Sequence, residues 1–410
     1  LHELTERLSR TDTLDDALSE LLRAGAALTG APRGLAVLEP ADGLGPDSAT
    51  GLGLTRADLG HIETVPRAAT SHGRLLDDPK TGAPGRGSEL IRPDLLAEDG
   101  LDPLHRAVAV RLGFAASYAL PLVTATGGPL GTAVWLYDEP AEPAERRRHL
   151  TGLYARHASE HLARLVELHR ARETTATLRE ELMPSRLPRV AGVRLAARHR
   201  TGPRGGGDWH DALPLPEAAL GLAVGSVTGS GPSAVAAMGR LRASLRAYAV
   251  MEGEDPVAVL SDLELLLRLT EPARSATALF AYCEPAARRI VLAGAGHSPP
   301  LIIGERRTEF VETSLSAPLG MLACWEAPSV EFSPERGETV LLYTDGLLHR
   351  TGEATDRAFA RLHAAAACVP RDLRDDPGAI ADHILRAMLP DGRDAMDGEE
   401  DVVLLAARFE

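Results

Sequence analysis

The chain has 410 residues, 44% of them hydrophobic, with 44 basic against 58 acidic side chains and a net charge of −14. That length suggests two or three domains. The charge argues against grip on a nucleic acid backbone, and no apolar run is long enough to span a bilayer, the most apolar region being broken by Arg111 and Pro121.

Leu4, Leu8, Leu14, Leu18, Leu21 and Leu22 recur at helical spacing and predict one opening amphipathic helix. A short strand follows at Gly34–Leu38, then a Gly-, Pro- and Asp-rich stretch from Pro40 to Gly100 with little periodicity. "SYALPLV", the turn "TATGGP" and "LGTAVWLY" read as a β-hairpin. Together these predict a small α+β domain. Its closing S-x-x-x-P-L … G-x-x-x-L pattern resembles that of GAF domains, which implies a sensor for a small ligand that the sequence does not name.

From Pro143 to Met183 the pattern is one long helix. Leu150, Leu153, His157, His161, Leu165, Leu168, Thr175, Leu178 and Leu182 lie near one stripe, and charge crowds the other faces. Such a seam predicts a parallel homodimer. "HASEH", His157–His161, matches a zinc-binding H-x-x-E-H pattern. No third ligand is evident and the seam itself needs both positions, so the structural reading is preferred. Pro184 and Pro188 end the helix.

The remainder alternates strands with helices. Strands are predicted at 193–199, 219–224, 277–283, 289–293, 300–303, 309–312, 339–343 and 402–409, and helices at 232–251, 255–270 and 356–368. This pattern predicts antiparallel sheets covered by helices. Cys283, Cys324 and Cys368 stand singly and read as buried thiols of a reducing cytoplasm. The chain begins at Leu1, which reads as a trimmed start and leaves a targeting signal open.

Acidic motifs stand at turns or strand ends: "GGDWHD" (Gly206–Asp211), "YTDGL" (Tyr343–Leu347) and "GEEDVVLL" (Gly398–Leu405), the last closing an acidic run from Asp391. In "YTDGL" an apolar strand delivers Asp345 to its end, and Gly346 lets the chain turn. A carboxylate there is costly unless it meets a cation. Several from distant segments suggest hard metal ions on oxygen ligands, although each alone is more often a turn residue or cap. "AVGSVTGSGPSA", Ala223–Ala234, reads as a strand ending in a glycine turn before a helix, with no acid, base or thiol in it.

In order, L-x-x-x-L-M-P-x-x-L-P, G-G-D-W-x-D, G-x-V-x-G-x-G-x-x-A, A-G-H-x-P-P, P-L-G, Y-T-D-G-L and the terminal acid pair resemble the SpoIIE/RsbU-type phosphatases of the metal-dependent (PPM, PP2C-like) class. The resemblance covers about Leu178 to Glu410. It implies an αββα sandwich of two antiparallel sheets. It also implies two Mn²⁺ or Mg²⁺ ions and dephosphorylation of phosphoserine or phosphothreonine in an anti-anti-sigma (STAS) partner. The organisation it implies is a GAF-like sensor at 1–145, a linker helix at 146–187 and a phosphatase domain at 188–410. Asp208 and Asp345 are implied as catalytic metal ligands, with the Val227 carbonyl, Glu400 and Asp401 completing the set. The family loop reads G-D-V-x-G-H-G, and its Asp bridges the two metals. Here that position is Ser226, the His position is Ser230, and the terminal pair is Glu400-Asp401. Two dications about 4 Å apart repel strongly without a carboxylate between them. The expectation is the family scaffold with a weakened or absent second metal. The alternative is a pseudophosphatase that signals by binding.

Overall fold

The computed structural model describes residues 1–39, 49–77, 89–125, 129–202, 206–271, 273–313, 316–322, 328–389 and 400–410. The chain divides into two compact units, Leu1–Ala171 and Arg172–Glu410. Among the described residues no helix is long and apolar enough to cross a membrane.

The first unit opens with two helices, α1 (His2–Ser9) and α2 (Leu14–Thr29), instead of the single one expected. The apolar period runs on through both, but the Thr13 side chain accepts from the Asp16 N–H and starts α2 afresh. Strands β1 (Arg33–Leu38) and β2 (Ala49–Leu52) precede α3 (Arg56–Glu63), α4 (Ser71–Asp77), β3 (Leu90–Arg92) and α5 (Pro103–Leu112). Local caps rather than periodicity specify α3 and α5: a Thr55–Asp58 capping box, and Asp102 before Pro103. The hairpin forms as β4 (Ala116–Val123) and β5 (Pro129–Tyr137); residues 126–128 of its turn lie outside the described residues. The sheet order is β2-β1-β5-β4-β3.

Alternation along β4 and β5 sends Tyr118, Leu120, Leu122 and Trp135 into one core with Leu18, Leu21 and Leu22. It sends Ala119, Val134 and Leu136 into another with Val108 and Phe114. Gly25, a costly residue inside a helix, is explained by Trp135: a Cβ there would lie 2.0 Å from the indole ring. Helix α6 (Glu145–Leu182) adds Tyr154, Ala155, Ala158, Leu162 and Val166 to the first core. In it His161 Nε2 lies 3.0 Å from the Thr11 hydroxyl while His157 is exposed, so this pair serves packing and surface.

The second unit has two five-stranded antiparallel sheets. One orders β13 (Val330–Phe332), β10 (Arg289–Ala295), β9 (Ala276–Glu284), β8 (Leu220–Ser230) and β7 (Gly206–Pro214). The other orders β12 (Thr308–Phe310), β11 (Leu301–Ile303), β14 (Thr339–Tyr343), β15 (Val402–Phe409) and β6 (Val193–Arg200). Val403, Leu405, Ala407 and Phe409 face Leu220, Leu222, Val224 and Leu279 between the sheets. Val402, Leu404 and Ala406 face outward to the layer of α9 (Gly346–His349), α10 (Thr355–Ala367) and α11 (Pro377–Met388). The outer face of the first sheet is covered by α7 (Pro232–Glu252) and α8 (Pro256–Thr270). Burial on both faces erases the polar half of the alternation, which is why these strands read as continuous apolar runs. Cys283 is buried as expected. Cys368 is exposed, because it caps the end of α10, and Cys324 lies outside the described residues.

Candidate functional site

Strand β7 brings "GGDWHD" into the first sheet as a buried edge strand, where a turn or a strand end was expected. Alternation sends Asp208, His210 and Ala212 toward the space between the sheets, and Trp209 and Leu213 toward the α7 layer. Strand β8 likewise runs to Ser230, so the chain does not turn after Val224; it turns at Gly231, with φ of 76°. Gly225 has ordinary extended geometry. It is required because its cross-strand partner is Trp209: a Cβ at Gly225 would lie 2.3 Å from the indole and 2.7 Å from the Thr277 carbonyl. We expect Gly225→Ala to destabilise the second unit by roughly 1–3 kcal/mol through overpacking, measured by denaturant unfolding. An unchanged midpoint would contradict this packing.

The register places Ser226 directly opposite Asp208, with Thr277 on its other side. Val227 sits next to them, between Gly207 and Ala276 in the ladder. In the facing sheet, Thr344 follows β14 and pairs with β15: its hydroxyl accepts from the Val403 N–H at 3.0 Å, and its own N–H donates to the Val403 carbonyl. The Ser226 and Thr344 hydroxyls both bond the Asp208 carboxyl. Burial nevertheless pushes Asp208 up to about 7, with Asp401 and Glu400 adding to the rise. Asp208, Ser226, Thr344, Asp345, Glu400 and Asp401 therefore gather at one end of the sandwich. Gly346 is needed for close approach rather than a turn: a Cβ there would lie 2.0 Å from the Asp401 carbonyl.

Each remaining acid has its own partner within the protein. Asp345 accepts from the Ser298 hydroxyl of "AGHSPP". Glu400, which is exposed, lies 2.9 Å from His349 Nδ1. Asp401 is buried and accepts from the Gly202 and Gly206 N–H groups at 2.7 and 2.9 Å. Arg179 Nη1 stands 3.9 Å from it, and His199 Nε2 3.6 Å, an ion-pair distance rather than a hydrogen bond. Burial alone would raise Asp401, but His199 and the Gly202 N–H outweigh it and hold the carboxyl below its ordinary value. His210 is buried and pushed down to about 4, chiefly by burial and then by His199 and Arg242, so it is neutral.

Among the described residues the donor set lacks the bridging carboxylate that the resemblance implies for a pair of Mn²⁺ or Mg²⁺ ions. The position opposite Asp208 carries a neutral hydroxyl, and each Asp401 oxygen already accepts one main-chain N–H. Among the described residues no three His, Cys, Asp or Glu side chains are grouped to hold a metal ion. Most of the acidic run from Asp391 lies outside the described residues. The partners Arg179, His199, Ser298, Thr344 and His349 were not singled out from the sequence, although Ser298 and Thr344 lie inside motifs that were.

Residues 216–410 match the family model described as stage II sporulation protein E (SpoIIE). The chain is similar to the RsbU and RsbW domains of a Mycobacterium tuberculosis protein, with 28% identity and a TM-score of 0.50, over 56% of this chain and 63% of that one. It is also similar to the PP2C phosphatase domain and a regulatory fragment of SpoIIE from Bacillus subtilis, with 17% identity and a TM-score of 0.46, over 53% and 62% of the two chains. A third similarity is to the SiaA PP2C domain of Pseudomonas aeruginosa, with 17% identity and a TM-score of 0.48, over 60% and 99%.

Proposed function

We propose, on the match of residues 216–410 to the SpoIIE family model, that the chain is a signalling protein that engages a phosphoserine- or phosphothreonine-bearing anti-anti-sigma (STAS) partner, with metal-dependent hydrolysis curtailed. One observation carries this reading: Asp208 is paired with the Ser226 hydroxyl, where the family motif has a bridging carboxylate. Three hydroxyls, on Ser226, Ser298 and Thr344, bond the carboxyls of the cleft, and Asp208 is about half protonated near neutral pH. Each hydroxyl already gives its proton to a carboxyl, so it is the protonated form of Asp208 that can donate to a phosphoryl oxygen. These groups do not neutralise the charge that develops when the P–O bond breaks, which is what a metal pair supplies when bound.

The first unit is proposed as the sensor. Its sheet lies between two helical cores, and a cavity of ≈ 20 Å³, room for about one water, is lined by residues including Ser71, His105 and Ser117. Leu168 and Leu178 of α6 are 43% and 53% exposed, which supports the parallel homodimer as the form in which this seam is covered. Titration calorimetry of the full chain with a STAS domain phosphorylated on its acceptor serine should show tighter binding than with the unphosphorylated domain. Equal affinity for the two forms would exclude the proposal.

A further inference from the structure

The last turn of α6 buries a charge where its stripe calls for an apolar residue. The periodic seam runs through Thr175, Leu178 and Leu182. In the second unit Leu178 is 53% exposed, while Thr175 and Arg179, one turn apart, are buried. Leu182 and Met183 pack against the core beneath α7. A guanidinium is thus carried inward on this helix end, where burying it is costly unless an anion meets it.

The anion is Asp401. Arg179 Nη1 stands 3.9 Å from its Oδ2, with 7% of the arginine side chain exposed and none of the aspartate side chain. Among the described residues Asp401 is the acid within ion-pair reach of Arg179, and the guanidinium makes no hydrogen bond. Its five N–H donors therefore stand uncommitted beside one carboxylate. The Gly202 and Gly206 N–H groups bond the two Asp401 oxygens but bring no full charge. His199 Nε2 lies 3.6 Å from the same Oδ2, and its ring is charged only when protonated. Among the described residues Arg179 alone brings Asp401 a permanent positive charge.

We propose that Arg179 is the resident cation of this cleft: it balances the Asp401 carboxylate from within the chain, and a divalent cation has to compete with it for that carboxylate. Asp401 stands where the resemblance implies a metal ligand, so guanidinium and metal ion would draw on the same anion, and like charges side by side repel. With Ser226 opposite Asp208 the cleft lacks a negative charge that the family motif supplies. With Arg179 beside Asp401 it holds a positive charge of its own. Both reduce what a divalent ion gains from these oxygens. The inference rests on Asp401 lying in the cleft and not on which partner the cleft takes, so equal affinity for phosphorylated and unphosphorylated STAS domains would leave it standing.

Thermal unfolding of the full chain, in chelator and then in Mn²⁺, tests this. In chelator Arg179→Gln should unfold at least about 4 °C below wild type, because a buried carboxylate is left without its counter-charge. Arg179→Lys keeps the charge and should lose less. Mn²⁺ should return at least about half of the loss in Arg179→Gln while moving wild type and Arg179→Lys by less than about 1 °C. Titration calorimetry should show Mn²⁺ held at least about tenfold more tightly by Arg179→Gln than by wild type. Equal shifts in Mn²⁺ for wild type and Arg179→Gln, or a loss in Arg179→Gln that Mn²⁺ leaves untouched, would overturn the proposal. Should Arg179→Gln not fold in chelator, refolding in Mn²⁺ reads the same competition: folded chain recovered with the ion supports the proposal, and none recovered overturns it.

Discussion

Ser226→Asp is expected to convert the cleft from a hydroxyl-lined site into a metal-binding one. The register puts the new carboxylate directly across from Asp208, and cross-strand neighbours have Cβ atoms about 5 Å apart. Ser226 is only partly buried, so a side chain one atom pair larger can be accommodated. Without metal the variant adds a negative charge to a site that already contains Asp208, Asp345, Glu400 and Asp401. Its unfolding temperature should therefore drop below wild type, in keeping with a loss of roughly 1–2 kcal/mol. With Mn²⁺ the same carboxylate offsets the repulsion between cations and should recover more than was lost. Ligand linkage gives about 2.7 kcal/mol when metal stands at 100 times its Kd. Phosphate release from an aryl phosphate should rise with it, and a tenfold gain needs only about 1.4 kcal/mol at the transition state. A variant whose unfolding temperature ignores Mn²⁺ while wild type responds would show that the cleft works with a rebuilt donor set.

Much of this scaffold is legible in the sequence where the physics is local or repeats. The run Val402–Ala407 is apolar at every residue, as a strand between two layers must be. The Pro184 and Pro188 stop after α6 marks the helix end. Legibility fails where one residue answers to a distant one. Gly225 reads as a turn glycine, yet it is there because Trp209 lies over it from the next strand. Gly346 also reads as a turn, and Asp401 is what requires it. "GGDWHD" looks too polar for a buried strand, because the groups that satisfy Asp208 come from Ser226 and Thr344 in two other strands or their ends. Helix α11 was not anticipated, though Asp376 capping a Pro at the first helical position is a local signal that could have marked it. The cleft acids themselves were legible as types. Their pairing with Arg179, His199, Ser298 and His349 is set by tertiary placement, and no spacing announces it.

Asp208→Asn should stabilise the protein at pH 8 and leave it nearly unchanged at pH 4, both measured with a chelator present. In the fold, burial first and then Asp401 and Glu400 raise the Asp208 carboxyl to about 7, against the countering hydroxyls of Ser226 and Thr344. In the unfolded chain it titrates near its ordinary value of about 3.9. Between those values the folded state holds a proton that the unfolded state has lost. Stability therefore falls as pH rises through this window, and the full cost is reached above the folded value. A gap of about three units corresponds to about 4 kcal/mol, and relaxation of the cleft makes roughly 2–4 kcal/mol the range to expect. The amide has no charge to desolvate and no proton to exchange, so the variant should lose this pH dependence. Wild type and variant with equal unfolding free energy at pH 8 would mean that the carboxylate is already compensated in the fold. If the gain appears, Asp208 is an acid kept against its own folding cost, which is the pattern of a residue retained for what it meets in the cleft.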